Sequence, residues 1–90
     1  MRNKSKLTEI QRTLFEIWDP LGIRDIGGPK DEYDSYAEKI LYKFDKFIEN
    51  CEEIRLFLND IAEKEMELSL KDIELRCQLA ANELYEVLKN

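Results

Sequence analysis

All of the chain's glycines and prolines lie in one stretch. Residues 18–34 read WDPLGIRDIGGPKDEYD and hold the three glycines, the two prolines and the single tryptophan. Glycine and proline are the residues that most often interrupt helices, and the rest of the chain lacks them. This distribution predicts helices on both sides of one long connecting segment.

Apolar residues recur at helical spacing in four segments of the chain. They predict helices over residues 5–18, 31–50 and 51–64, and a fourth helix that starts at Ser69. Helices two and three could also form one bent helix, because periodicity does not separate the two cases. The residues that fit N-cap or capping-box positions are Ser5, Asn50 with Glu53, and Ser69 with Asp72.

The fourth helix carries apolar residues on two sides. Leu75 and Leu79 lie nearly opposite the face that contains Ile73. We favour a central helix that buries both sides, and the alternative is a small apolar patch that contacts a partner. The four segments together predict one all-α domain over residues 1–90, a small antiparallel four-helix bundle with a long loop between helices one and two.

Four residues are expected to fix the conformation of that loop. Trp18 anchors it on the bundle, Asp19 caps the turn through an Asx-type hydrogen bond, Pro20 ends helix one, and Gly22 is a turn residue. The aromatic or acidic side chain at Tyr33 or Asp34 is expected to hydrogen-bond back to the loop or to the indole N–H. The apolar loop residues expected to reach the core are Leu21, Ile23 and Ile26.

The net charge of −6 is concentrated in the second third of the chain. Residues 31–65 carry eleven acidic against five basic side chains. Such a field repels phosphate backbones and attracts basic proteins, so we expect a basic protein partner and no nucleic acid. The alternative is that the acidity only keeps the protein soluble. Without a membrane-length apolar run or a signal-type core, we expect a cytoplasmic protein with no membrane contact.

Side chains that usually carry catalysis are scarce. The chain has no histidine, so Ser5, Ser35 and Ser69 lack the commonest activating base. Cys51 and Cys77 fall on apolar faces and are expected to be reduced core thiols, although a disulfide between them is geometrically open. We therefore expect no enzyme, no catalytic residue, no metal and no cofactor.

One enzyme alternative stays open. Carboxylates spaced three residues apart share a helical face and could bind magnesium, as in all-helical nucleotide pyrophosphatases. The pairs are Glu16 with Asp19, Asp31 with Asp34, and Glu49 with Glu52. Their order and intervals do not match the pattern of that family.

Acidic and aromatic side chains cluster around the loop and the start of helix two. Carboxylates steer a basic partner and set its register, while tyrosines serve as anchors. The predicted partner-binding residues are Asp25, Asp31, Glu32, Tyr33, Asp34, Tyr36 and Glu38.

The motif WDPLG, followed after a loop by DEYDSYAEKI, resembles a pattern found in a group of small bacterial helical proteins of unknown function. That pattern is WDP-(Ile/Leu)-G … (Glu)-Tyr-Asp … Ile, and the resemblance covers mainly residues 18–41. Similar short acidic proteins occur among immunity proteins that neutralise secreted or contact-delivered bacterial toxins. The resemblance implies an immunity or antitoxin-type protein that binds a cognate toxin. The alternative is a non-enzymatic interaction or regulatory module, with Leu75 and Leu79 as a possible dimer contact.

Overall fold

The long segments without glycine or proline are helical. The computed structural model describes the backbone of residues 2–29 and 31–89, and the side chains of the same residues except 2–5, 70 and 72. Within that part of the chain there are five α-helices and no β-strand, which confirms the all-helical prediction. The helices are α1 (Arg2–Thr13), α2 (Asp34–Tyr42), α3 (Phe44–Phe47), α4 (Cys51–Asp60) and α5 (Leu70–Lys89).

The predicted second helix is divided. At Lys43 the backbone turns, with φ −92° and ψ 21°, and this residue separates α2 from α3. A second break follows at Asn50, whose backbone is extended and whose side chain accepts a 3.0 Å hydrogen bond from the Glu52 N–H. Asn50 is therefore the N-cap of α4, and the alternative of one bent helix through residue 50 is wrong.

The other predicted helix starts have mixed outcomes. Ser5 lies inside α1, because that helix already begins at Arg2, and the prediction that Ser5 caps it is wrong. α5 begins directly after Ser69, as the sequence predicts. The proposed partner in that capping box is the side chain of Asp72, which lies outside the described residues.

Two of the helices end in π-helical turns that the sequence pattern does not predict. Leu14–Trp18 extends α1, and Ile61–Glu65 extends α4. A π-helical turn holds more residues than an α-helical one, so each residue advances by a smaller angle. This rotates Ile17 off the core face, and Ile17 is exposed although it fits the apolar stripe of helix one.

α1 and α5 run antiparallel through the core. Near one end, the Lys6 ammonium donates hydrogen bonds to the carbonyl oxygens of Val87 and Leu88 in the last turn of α5. A cation at that position is favourable because the carbonyls of a helix C-terminus lack intrahelical partners. Near the other end, Trp18 contacts Cys77. Between them the two helices bury Ile10, Leu14, Cys77, Ala80, Ala81, Leu84 and Leu88.

Several expectations about apolar residues are corrected. Leu75 and Leu79 are 70% and 49% exposed, so the favoured interpretation of a helix buried on two sides is wrong. Leu21 and Ile26 are also exposed, and only Ile23 of the loop packs against the core. These loop residues stay at the surface because polar contacts rather than apolar burial hold the loop.

Both cysteines are free thiols. Cys77 is buried and Cys51 is half-buried, in agreement with their predicted positions on apolar faces. Burial raises the pKa of each thiol, and the nearby carboxylates of Glu52 and Glu86 add to the effect at Cys51. Neither environment favours a nucleophilic thiolate. None of the described helices combines the length and the apolar character that a membrane crossing requires.

Candidate functional site

The turn that follows α1 is built on the backbone of Asp19. Its N–H closes the π-helical turn by donating a 2.8 Å hydrogen bond to the Leu14 carbonyl oxygen. Its φ of 29° and ψ of 59° lie near the left-handed region, which aspartate tolerates better than most residues. This conformation reverses the chain and lets Pro20 and Gly22 continue away from α1.

The carboxylate of Asp19 holds the loop from inside. It is 5% exposed and accepts three hydrogen bonds. The backbone N–H groups of Ile23 and Arg24 donate at 3.0 and 3.2 Å, and the Tyr33 hydroxyl donates at 2.8 Å. The predicted Asx-type turn is wrong, because Asp19 accepts from the N–H groups four and five residues on, and the N–H of Leu21, two residues on, donates to the Tyr33 hydroxyl instead. Tyr33 makes the predicted hydrogen bond back to the loop.

Tyr33 is a structural residue rather than a contact residue. It is 2% exposed, and its hydroxyl also accepts a 3.2 Å hydrogen bond from the Leu21 N–H. The prediction that Tyr33 contacts a partner is therefore wrong, because the ring and the hydroxyl are both used inside the protein. Burial, reinforced by the hydrogen bond to Asp19, raises the pKa of the Tyr33 phenol well above its usual range.

We call the hydrogen-bonded contacts of Asp19 with Ile23, Arg24 and Tyr33 the bracket. Trp18 connects the bracket to the core. The indole is fully buried, and its N–H donates to the sulfur of Cys77 at 3.3 Å, not to Tyr33 or Asp34 as expected. The ring packs against Tyr33 at 5.3 Å between centroids and meets Tyr36 edge-on at 6.0 Å. These contacts fix the start of α2 against the end of α1.

A distant arginine completes the bracket. The Arg76 guanidinium of α5 donates a 2.5 Å hydrogen bond to the Asp19 carbonyl oxygen, which also accepts from the Gly22 N–H at 3.1 Å. Gly22 has φ +67°, a value that L-residues rarely adopt. The sequence gives no signal for Arg76, because 57 residues separate it from Asp19.

The second half of the loop needs glycine for a steric reason. The Gly28 N–H donates to the Ile23 carbonyl oxygen at 2.7 Å, which folds the loop back on itself. A Cβ at Gly28 would lie 2.6 Å from the Ile23 Cβ, closer than carbon atoms approach in proteins. Only glycine at position 28 permits this close approach to Ile23. The folded loop places Asp31, where the acidic segment begins, across a groove from α1.

The remaining predicted contact residues lie at the surface. Asp25, Asp31, Glu32 and Glu38 are exposed, whereas Asp34 and Tyr36 are half-buried. We call the five carboxylates among them the acidic face: Asp25, Asp31, Glu32, Asp34 and Glu38. Partial burial raises the pKa of the Asp34 carboxyl, and the negative charges of Asp31 and Glu38 raise it further.

Tyr36 lies beside the acidic face and is only partly available. Its hydroxyl donates to the Glu65 carboxylate at 3.3 Å, and its ring rests on Trp18. Burial and the charge of Glu65 raise the pKa of this phenol. The Lys39 ammonium lies 5.8 Å from the centre of the same ring.

A groove separates the acidic face from α1. It has a volume of about 520 Å³ and we call it the Phe15 groove. α1 and its π-helical turn provide one side, and the loop and the start of α2 provide the other. Its lining residues are Gln11, Arg12, Phe15, Glu16, Arg24, Asp31 and Asp34. The sequence pattern pointed to the two aspartates but missed the α1 side, where Phe15 at the margin of the apolar stripe was the available signal.

Within residues 2–29 and 31–89, no group of three or more Cys, Asp or Glu side chains is placed to hold a metal ion. Comparison with known proteins assigns no further role, because no protein-family model, curated protein or solved structure matches the chain.

The substitution Tyr33→Phe is expected to lower the free energy of unfolding by about 1–3 kcal/mol. It removes the hydroxyl that donates to Asp19 and accepts from Leu21. Urea denaturation measures the change. The matched control is Tyr42→Phe, since Tyr42 is 85% exposed and its change should be within about 0.5 kcal/mol. Equal effects of the two substitutions would contradict the structural role of the Tyr33 hydroxyl.

The free energy of unfolding is also expected to fall as the pH rises above about 10. The pKa of Tyr33 is higher in the folded chain than in the unfolded chain. The folded state therefore keeps a proton that the unfolded state releases, and the stabilisation present below that pH is progressively lost. Urea denaturation between about pH 8 and pH 11 should show a steeper decline for the native protein than for Tyr33→Phe. Parallel curves would show that Tyr33 does not contribute.

Proposed function

We propose that this protein is a non-enzymatic bacterial immunity protein of the antitoxin type, which binds and neutralises a cognate basic toxin in the cytoplasm. The observation that carries the proposal is the acidic face, whose five carboxylates lie in the loop that Asp19 holds and in the first half of α2. Neutralising a toxin needs a complementary surface on a stable scaffold and no catalytic group. The pattern in residues 18–41, which resembles that of small bacterial helical proteins, supports the same choice.

The scaffold supports this proposal through its rigidity. Asp19, Trp18 and Arg76 tie the turn to α1 and α5, so the acidic face pays little ordering entropy on binding. We treat α2 and α3 as one bent arm, so that the domain works as an antiparallel four-helix bundle with a long first loop. Nucleic acid is not part of the proposal, because the face would repel phosphates.

The test uses the product of the reading frame next to this gene. Its expression in a heterologous host should arrest growth, and co-expression of this protein should restore growth. The variant Asp31→Asn/Glu32→Gln/Glu38→Gln should bind that product at least about tenfold more weakly and lose the rescue, because it removes three charges from the acidic face. Calorimetry on the purified pair gives the affinity.

The matched control is Asp45→Asn/Glu49→Gln/Glu63→Gln. It changes the net charge by the same amount at exposed positions outside the acidic face. This control should bind within about twofold of the native protein. A neighbouring product that is harmless, or that does not bind, would contradict the immunity function. Equal weakening by both triple variants would show that net charge rather than the acidic face is recognised.

The exposed leucines of α5 favour a second candidate function, a homodimeric interaction or regulatory module. Leu75 and Leu79 lie one turn apart on the outward side of α5. Solvent-exposed apolar pairs of this kind can form the centre of a helix–helix contact. The third function, a magnesium-dependent pyrophosphatase-like enzyme, stays a prediction from carboxylate spacing alone.

Sedimentation velocity tests the dimer. If the module is homodimeric, the native protein sediments as a dimer at micromolar concentration, and Leu79→Asp shifts it to a monomer because a carboxylate enters the apolar contact. Tyr42→Asp is the control, since it adds the same charge at another exposed apolar side chain. A monomer in the native protein, or a dimer that survives Leu79→Asp, would contradict this function.

A further inference from the structure

The Phe15 groove combines an aromatic surface with carboxylates on one side. Phe15 is half-buried in the π-helical turn after α1 and lines the groove. Asp31 and Asp34 line the opposite side, at the start of α2. With a volume of about 520 Å³, the groove is large enough for one long side chain with part of its backbone.

The groove lining carries two guanidinium groups, Arg12 and Arg24, and three carboxylates, but within the described part of the chain no ion pair joins either guanidinium to Asp31 or Asp34. The Arg24 guanidinium is held by the Glu16 carbonyl oxygen at 2.8 Å and lies 3.9 Å from the Asp25 carboxylate. Asp31 and Asp34 take part in none of the ion pairs formed among the described side chains. The two carboxylates repel each other, and a cation bound between them would relieve that repulsion.

We propose that the Phe15 groove takes an arginine side chain of the basic partner, with the aliphatic stem and guanidinium plane over Phe15 and the guanidinium bonded to Asp31 and Asp34. This inference rests on the proposed function, and it names the chemistry by which the partner is recognised. It adds α1 to the binding surface that the sequence placed only on the loop and α2.

Arginine fits the groove better than lysine for two reasons. Its planar guanidinium stacks on an aromatic ring and donates two parallel hydrogen bonds, so it can reach Phe15 and the aspartates together. The ammonium of lysine is a compact and strongly hydrated charge that gains less from an aromatic surface. Arginine side chains are also frequent energetic centres of protein interfaces.

Nitrogen-15 NMR tests the proposal with three capped peptides, Ac-Gly-Arg-Gly-NH2 and its lysine and citrulline counterparts. The arginine peptide should shift the amide signals of Gln11, Phe15, Asp31 and Asp34. The citrulline peptide has nearly the same shape without the charge, and it should bind at least about tenfold more weakly. The lysine peptide should fall between them.

Two variants locate the effect. Asp31→Asn/Asp34→Asn should reduce the arginine affinity about tenfold, because both carboxylates of the groove lose their charge. Asp45→Asn/Glu49→Gln is the control with the same net charge and should leave the affinity unchanged within about twofold. If the double aspartate variant unfolds by circular dichroism, Asp31→Asn alone replaces it, since Asp31 lies before α2 and is exposed.

The outcomes separate this inference from the proposed function. Shifts confined to the groove and abolished by the aspartate variant would support arginine capture. Shifts elsewhere, or equal binding of arginine with citrulline or with lysine, would overturn it. Growth rescue by the native protein without arginine binding would leave the immunity function standing and reject the groove. Absence of rescue would reject the immunity function whatever the peptides do.

Discussion

The buried carboxylate of Asp19 is the interaction on which the rest of the site depends. The carboxylate accepts hydrogen bonds from two backbone N–H groups of the loop and from the Tyr33 hydroxyl. The backbone carbonyl oxygen of Asp19 accepts a hydrogen bond from Arg76 of α5. A buried carboxylate is costly unless it is hydrogen-bonded, and here three donors meet that requirement. The loop, the start of α2 and α5 are thereby fixed relative to the end of α1.

This bracket separates the parts that hold the turn from the parts that face solvent. Three side chains are buried and make their polar contacts within the protein, namely those of Trp18, Asp19 and Tyr33. The acidic face lies outside them, where the charges of Asp31 and Glu38 act unfavourably on the Asp34 carboxylate.

The sequence predicted those features that depend on local chemistry. Helical periodicity and the Asn50 cap located most helices, and the WDPLG segment located the bracket, because each signal involves residues close in the chain. Features set by tertiary packing were missed. The break at Lys43, the π-helical turn before Asp19 and the contact of Arg76 all require knowledge of the neighbouring helices. Tyr33 was predicted both to hydrogen-bond back to the loop and to contact a partner, because an aromatic residue among acids is compatible with either position, and only the first role is realised.

Amide hydrogen exchange at Ile23 and Arg24 tests the role of Asp19 most directly. Both residues lie in an irregular loop, and their N–H groups have only the buried carboxylate as acceptor. If Asp19 holds the loop, these two amides exchange slowly, with protection approaching that of the Cys77 and Ala80 amides in α5. Exchange at the rate of an unstructured chain, while the α5 amides stay protected, would contradict the account.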